Sequence, residues 1–126
     1  MGVELFLVYR NKARADETVA EIRNRTGNQN VHLLCADLGS QKQIRAAAAG
    51  LLATGKPLHL LINNAGLGNT KRLMTENGIE VVFAVNDLAY FLLTMLLSSG
   101  SSRARQRASS MLPQRRTGLG PSISTI

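Results

Sequence analysis

A single cysteine, Cys35, rules out a disulfide within the chain and any cluster of cysteine ligands. His32 and His59 lie in apolar, strand-like runs and read as structural histidines, so no metal site is expected. No signal peptide is expected either, because Glu4 and Arg10 interrupt the short apolar run of Val3 to Tyr9. The longest apolar region, residues 79–97, contains Glu80, Asn86 and Asp87, which argues against a membrane span. Internal repeats are absent. These absences leave a soluble cytoplasmic protein without membrane contacts as the expectation.

What is present is globular: 126 residues, 44% of them hydrophobic, enough for one domain at most. The net charge of +7 looks like a nucleic-acid signal until it is located. Residues 1–97 hold ten Lys/Arg against eight Asp/Glu, a balance of +2, and the other +5 comes from five arginines in an acid-free tail. The body is nearly neutral, so no nucleic-acid partner is expected. That tail, residues 98–126, holds eight serines, five arginines, three glycines and two prolines, with no apolar periodicity. It reads as disordered, since it buries too little surface to offset ordering entropy.

Residues 1–97 alternate strand and helix patterns. Val3–Tyr9 reads as a strand, followed by a helix over residues 13–25 with Ala15, Val19 and Ile22 on one face. Gly27-Asn28 stops that helix. Val31–Cys35 is the second strand. Ser40-Gln41-Lys42-Gln43 has the spacing of a capping box, opening a helix striped by Ile44, Ala47, Ala48, Leu51 and Leu52. Gly55 and Pro57 end it. The third strand, residues 58–63, is apolar on both faces and so reads as buried between helix layers. Thr75 is then the expected N-cap of a long helix reaching Leu97, with Val81, Val85, Ala89 and Leu93 on a wide apolar face. Strands alternating with helices and no hairpin signal predict parallel βαβ units, an α/β fold.

Four features follow one another at the strand ends: Arg10-Asn11, Ala36-Asp37-Leu38, Asn63-Asn64-Ala65-Gly66, and Val85-Asn86 in the last helix. In this order they resemble the short-chain dehydrogenase/reductase superfamily, particularly its retinol-dehydrogenase-like branch, over residues 2–97. The resemblance implies a partial Rossmann-like, doubly wound parallel sheet of three strands and three helices. It implies further that the cofactor is NADP rather than NAD, with Arg10 and Asn11 at the adenosine 2′-phosphate. A guanidinium suits that phosphate, whereas an Asp would hold an NAD ribose hydroxyl. By the same resemblance Asp37 accepts from the adenine amino group, with the Leu38 backbone beside it. Asn63, Asn64, Ala65 and Gly66 form the turn along the cofactor. Asn86 matches the family's helical asparagine, whose backbone holds a water of the proton relay. The implied substrates are small carbonyl or alcohol compounds, and the helix at 75–97 is implied as a homodimer interface.

Three family features are missing from this sequence. No Gly-rich turn of the kind that holds a pyrophosphate precedes Val3. No Tyr-x-x-x-Lys is found, since Tyr9 is followed four residues later by Ala13 and Tyr90 by Thr94. That pair matters because a lysine lowers the tyrosine's pKa for acid/base work. The catalytic serine strand has no counterpart after Leu97. The reading is therefore a fragment of an NAD(P)-dependent oxidoreductase, inactive alone. The alternatives are a noncatalytic nucleotide-contacting or dimerising protein, and a basic-tailed nucleic-acid binder, which the neutral body disfavours.

Overall fold

The computed structural model describes residues 3–100, 107–109 and 124–125. In chain order the elements are β1 (Leu5–Tyr9), α1 (Lys12–Thr26), β2 (Val31–Cys35), α2 (Gln41–Ala53) and β3 (Leu60–Ile62). Helix α3 follows. It opens as an α-helical turn at Val81–Phe83, widens to a π-helical turn over Ala84–Leu88, and continues α-helical through Ala89–Gly100. Two short strands, β4 (Arg107–Ser109) and β5 (Ser124–Thr125), complete the sheet.

Successive residues of β1 point to opposite layers, as strand geometry requires. Val8 packs on one side with Ala36, Ile44, Leu51, Leu61, Leu93 and Leu97, under α2 and α3. Leu7 and Tyr9 pack on the other with Ala15, Val19 and Val31, under α1. The α/β reading and its two helix layers therefore hold. β1 and β2 pair in parallel, from Leu5 with Val31 to Tyr9 with Cys35. Helix α1 is capped at one end by Asn11, whose side chain accepts from the Arg14 N–H. At the other end Gly27 adopts φ 71° and returns its N–H to the Arg23 carbonyl.

Three expectations change. The third strand is shorter than residues 58–63, and only Leu61 of its residues is buried; Leu60 and Ile62 remain 46% and 36% exposed. Helices α2 and α3 cover one face of β3, while α1 packs over β1 and β2. The last helix begins at Val81 rather than Thr75. Asn77-Gly78, a strong turn pair, closes a tight turn with Gly78 at φ 70°, its N–H returning to the Thr75 carbonyl. Met74 and Glu80 then pair as an antiparallel bridge, and the Glu80 carboxylate caps α3 through the Val82 and Phe83 N–H groups at 3.0 and 2.9 Å. A hairpin-like turn was thus present where none was expected.

The sheet order is β2-β1-β5-β3-β4. β5 lies antiparallel between β1 and β3, pairing Leu7 with Thr125 and Ile62 with Thr125, while β4 runs parallel to β3. These two strands had no counterpart in the sequence reading, being too short to show periodicity. The rest of the Ser/Arg-rich tail lies outside the described residues. By length and composition, residues 81–99 form a helix able to cross a membrane, yet its Ala89, Leu93 and Leu97 belong to the core.

Just before β1, Glu4 gathers charges from β2 and from the loop after α2. It hydrogen-bonds Lys56 and lies 3.0 Å from His32 Nε2, whose ring stacks on Phe6. The Lys56 hydrogen bond above all, and the Lys56 and His32 charges after it, hold the Glu4 carboxyl below its ordinary 4.5. A lowered folded-state pKa contributes stability above the unfolded value and loses it as pH falls through the folded one. Glu4→Gln is therefore expected to lower the thermal midpoint slightly at pH 7 and to leave it unchanged at pH 3, as measured by circular dichroism melts. A deficit that persists at pH 3 would assign the effect to packing instead.

Candidate active site at the carboxyl edge of the sheet

The loops that leave β1, β2 and β3 emerge at one edge, where open α/β sheets receive their ligands. Parallel pairing sets Tyr9 beside Cys35, so the residues after each strand become neighbours. The Ala36 N–H donates to the Tyr9 carbonyl at 3.0 Å and the Cys35 thiol lies 3.6 Å from the Arg10 carbonyl. Across this junction Arg10 Nη1 stands 3.9 Å from Asp37 Oδ2, with the Arg10 side chain 75% exposed. The charged end of that guanidinium is free to meet an anion from solution. Asn11 differs: its amide oxygen caps α1, accepting from the Arg14 N–H at 3.2 Å, so its side chain serves the helix.

Asp37 is held closely. Its Oδ1 accepts from the Gly39 N–H at 2.8 Å, and its own N–H donates to Gln43 Oε1 at 2.8 Å. Leu38 turns toward a cavity of about 150 Å³ between α2 and α3, lined also by Ile44, Ala84, Leu88 and Leu92. This cavity is apolar and far smaller than a dinucleotide requires. Buried Ser40 caps α2 and donates to Glu76, tying the 75–78 turn to the start of that helix.

The second half of the edge is the loop after β3. Asn63 Nδ2 reaches Thr94 Oγ1 of α3 at 3.5 Å, Ala65 is buried, and Asn64 faces outward. Asn86 clamps the end of this loop from the π turn of α3. Its Oδ1 accepts from the Leu67 N–H at 2.9 Å, and its Nδ2 donates to the Leu67 carbonyl at 3.0 Å. One side-chain amide thus satisfies both polar groups of one peptide residue, as an opposing strand would. π turns are rare and gather at functional sites.

The site residues expected from sequence accordingly form two pairs: Arg10 with Asp37, and the Asn63–Gly66 loop with Asn86. Sequence reasoning missed Gln43, Thr94 and Leu67 as their partners. Only Gln43 carried a signal, through its Ser-x-x-Gln spacing, and it goes elsewhere than a capping box would send it. Neither tyrosine is poised for acid/base work. Tyr9 is buried with its hydroxyl 3.2 Å from Thr18 Oγ1. Tyr90 is pushed above its ordinary 10.0 by burial first and by the Asp87 charge second. Among the described residues no group of His, Cys, Asp or Glu could hold a metal ion.

A parallel-stranded α/β layer structure with polar loops gathered at its carboxyl edge defines the doubly wound class of ligand-binding proteins. The short chain dehydrogenase family model matches residues 1–107, and the chain belongs to that family. It is 43% identical to human retinol dehydrogenase 11 over 96 residues, covering 76% of this chain and 30% of that protein. It is 40% identical to mouse polyprenol dehydrogenase over 97 residues, covering 77% of this chain and 29% of that protein. The chain therefore spans about 30% of the length of these curated relatives. Among solved structures, a metagenomic short-chain oxidoreductase in complex with NADP aligns with TM-score 0.65 at 27% identity, covering 79% of this chain and 45% of the other. The Sphingobium yanoikuyae short-chain dehydrogenase in complex with NADPH aligns at 0.58 and 30% identity, covering 80% and 42%.

The Asn86 clamp makes a local prediction. Asn86→Ala leaves both polar groups of Leu67 without their partner, a cost of roughly 1–3 kcal/mol. Amide hydrogen exchange is expected to show lost protection at Leu67, with the amides of α1 unchanged. Unaltered exchange at Leu67 would mean that the loop is held by other contacts.

Proposed function

We propose that this chain carries the adenosine-side half of an NADP(H) site belonging to a short-chain dehydrogenase/reductase acting on small carbonyl or alcohol substrates. The observation that supports this most is the Arg10–Asp37 pair, 3.9 Å apart at the carboxyl edge with the guanidinium exposed. An exposed, planar, permanently charged donor set fits a 2′-phosphate dianion. Asp37, already accepting from Gly39, keeps its second oxygen near Arg10 and available to an adenine amino group. In this reading the Leu38 backbone lies beside the base. The Asn63–Gly66 turn runs along the cofactor, where minimal Ala65 and Gly66 side chains permit close approach.

When bound, the nicotinamide would supply the hydride, and the protein supplies orientation and proton handling. The chain's own contribution here is structural to that chemistry. Asn86 secures the Asn63–Gly66 loop through Leu67 and brings its own backbone to the same place, as a water-holding group would need. The 126 residues by themselves turn over no substrate in this reading, because no Tyr-x-x-x-Lys stands among them.

The NADP preference is tested by fluorescence titration of NADPH and NADH against the whole chain. Arg10→Glu is expected to weaken NADPH at least tenfold while changing NADH little, a lost charge-assisted contact amounting to ~1.5–3 kcal/mol. Equal losses for both nucleotides would remove Arg10 from the phosphate site.

A second reading, dimerisation through α3, has its own support. Phe91 and Met95, four residues apart on one face of α3, are 67% and 54% exposed. Large apolar side chains exposed side by side mark interaction sites. Sedimentation velocity is expected to show a dimer that Phe91→Glu converts to monomer. A monomer in both cases would reject this reading.

A further inference from the structure

Gln43 lies in the first turn of α2, and its amide does something the capping-box pattern does not call for. In a capping box the N3 side chain reaches back to the N–H of the N-cap residue. Here the Ser40 N–H is already given to the Asp37 carbonyl at 3.0 Å. The Gln43 amide therefore passes over Ser40, and Oε1 accepts the Asp37 N–H at 2.8 Å. The Ser40 hydroxyl accepts from the Gln43 N–H at 3.5 Å and donates to Glu76.

The result is that Asp37 is held at every polar group. Its N–H goes to Gln43, its carbonyl to Ser40, Oδ1 to the Gly39 N–H at 2.8 Å, and Oδ2 faces Arg10 at 3.9 Å. The space is close as well: a Cβ at Gly39 would stand 3.2 Å from Asp37 Oδ1, so glycine there permits the carboxylate its place. Of the two backbone anchors of Asp37, the carbonyl bond belongs to the chain reversal into α2. The N–H bond alone comes from a side chain, and it can be removed without disturbing a peptide group. Gln43 is itself exposed, so its replacement opens no cavity.

We infer that Gln43 is a positioning residue for nucleobase selectivity: through the Asp37 N–H it aims the Asp37 carboxylate at the exocyclic amino group of a purine. This rests on the NADP(H) reading above. A carboxylate pointed at that position favours adenine, which offers an amino donor there. It disfavours hypoxanthine, whose 6-oxo group is an acceptor. Selectivity of this kind depends on direction, and without the Gln43 bond the Asp37 peptide keeps only its Ser40 anchor, so the carboxylate is aimed less closely.

The test uses the whole chain and two ligands, NADPH and its deamino analogue with hypoxanthine in place of adenine. They share the pyrophosphate, the 2′-phosphate and the nicotinamide, so effects on Arg10 cancel in the ratio of their affinities. The wild type is expected to prefer NADPH by about tenfold, the scale of one hydrogen bond to a charged group. Gln43→Met, which keeps length and removes the acceptor, is expected to reduce that preference to about twofold or less. Gln43→Glu, which retains an oxygen for the Asp37 N–H, is expected to restore it. Circular dichroism of both variants reports whether the fold is kept. Equal weakening of both ligands by Gln43→Met, with the preference intact, would overturn the inference and leave Gln43 as a support of the fold. A wild type that binds both ligands equally would overturn it while leaving the nucleotide site standing. A wild type that binds neither would overturn the NADP(H) reading itself, and this inference with it.

Discussion

The arrangement depends on the burial of β1 from both sides. Leu7 and Val8 are adjacent in the chain, both at most 2% exposed, and they face opposite helix layers. Each such side chain contributes about 1.5–3 kcal/mol on leaving water. Both faces are covered because α1 lies on one side and α2 and α3 lie on the other. With the layers so placed, right-handed parallel connections bring the ends of β1, β2 and β3 to one edge. The site residues are neighbours because the strands are parallel, and the strands are parallel because a helix follows each.

The weaker side of the structure is β3. It is tied to β1 through the two residues of β5, and its Leu60 and Ile62 face outward. One buried residue, Leu61, anchors it to the core that Val8 shares. The loop that follows is correspondingly secured by side chains from α3, Asn86 on Leu67 and Thr94 on Asn63, rather than by neighbouring strands. Helix α3 thus does for the third strand's loop what β-pairing does for the first two.

The two halves of the candidate site differ in how they are built. Arg10 and Asp37 are surface groups whose attraction is modest in water, so their value lies in where they are placed rather than in stability. Their placement comes from short-range bonds: the Asp37 turn through Gly39, Ser40 and Gln43, and the register of Tyr9 beside Cys35. The Asn63–Gly66 half is held by a contact between residues nineteen positions apart in the chain, Leu67 and Asn86. In the proposed function these halves belong to one nucleotide site, and the family match over residues 1–107 spans both of them.

By itself, the amino-acid sequence determined β1, β2, α1, α2 and the family, because each was written in local terms. Periodicity marked the strands and helices, Ser40 and Gly27 supplied caps, and Asp37-Leu38 and Asn63–Gly66 stood in the family's order. Where α3 starts was decided by competition between two nearby cap residues. Thr75 lost to Glu80 because Asn77-Gly78 prefers a tight turn, which bonds Thr75 to Ile79 before the helix begins. The uncovered face of β3, the insertion of β5, the clamp of Asn86 on Leu67 and the reach of Gln43 to Asp37 belong to the tertiary structure alone. Each depends on which distant group is brought within hydrogen-bonding or packing distance, and spacing along the chain carries no record of that.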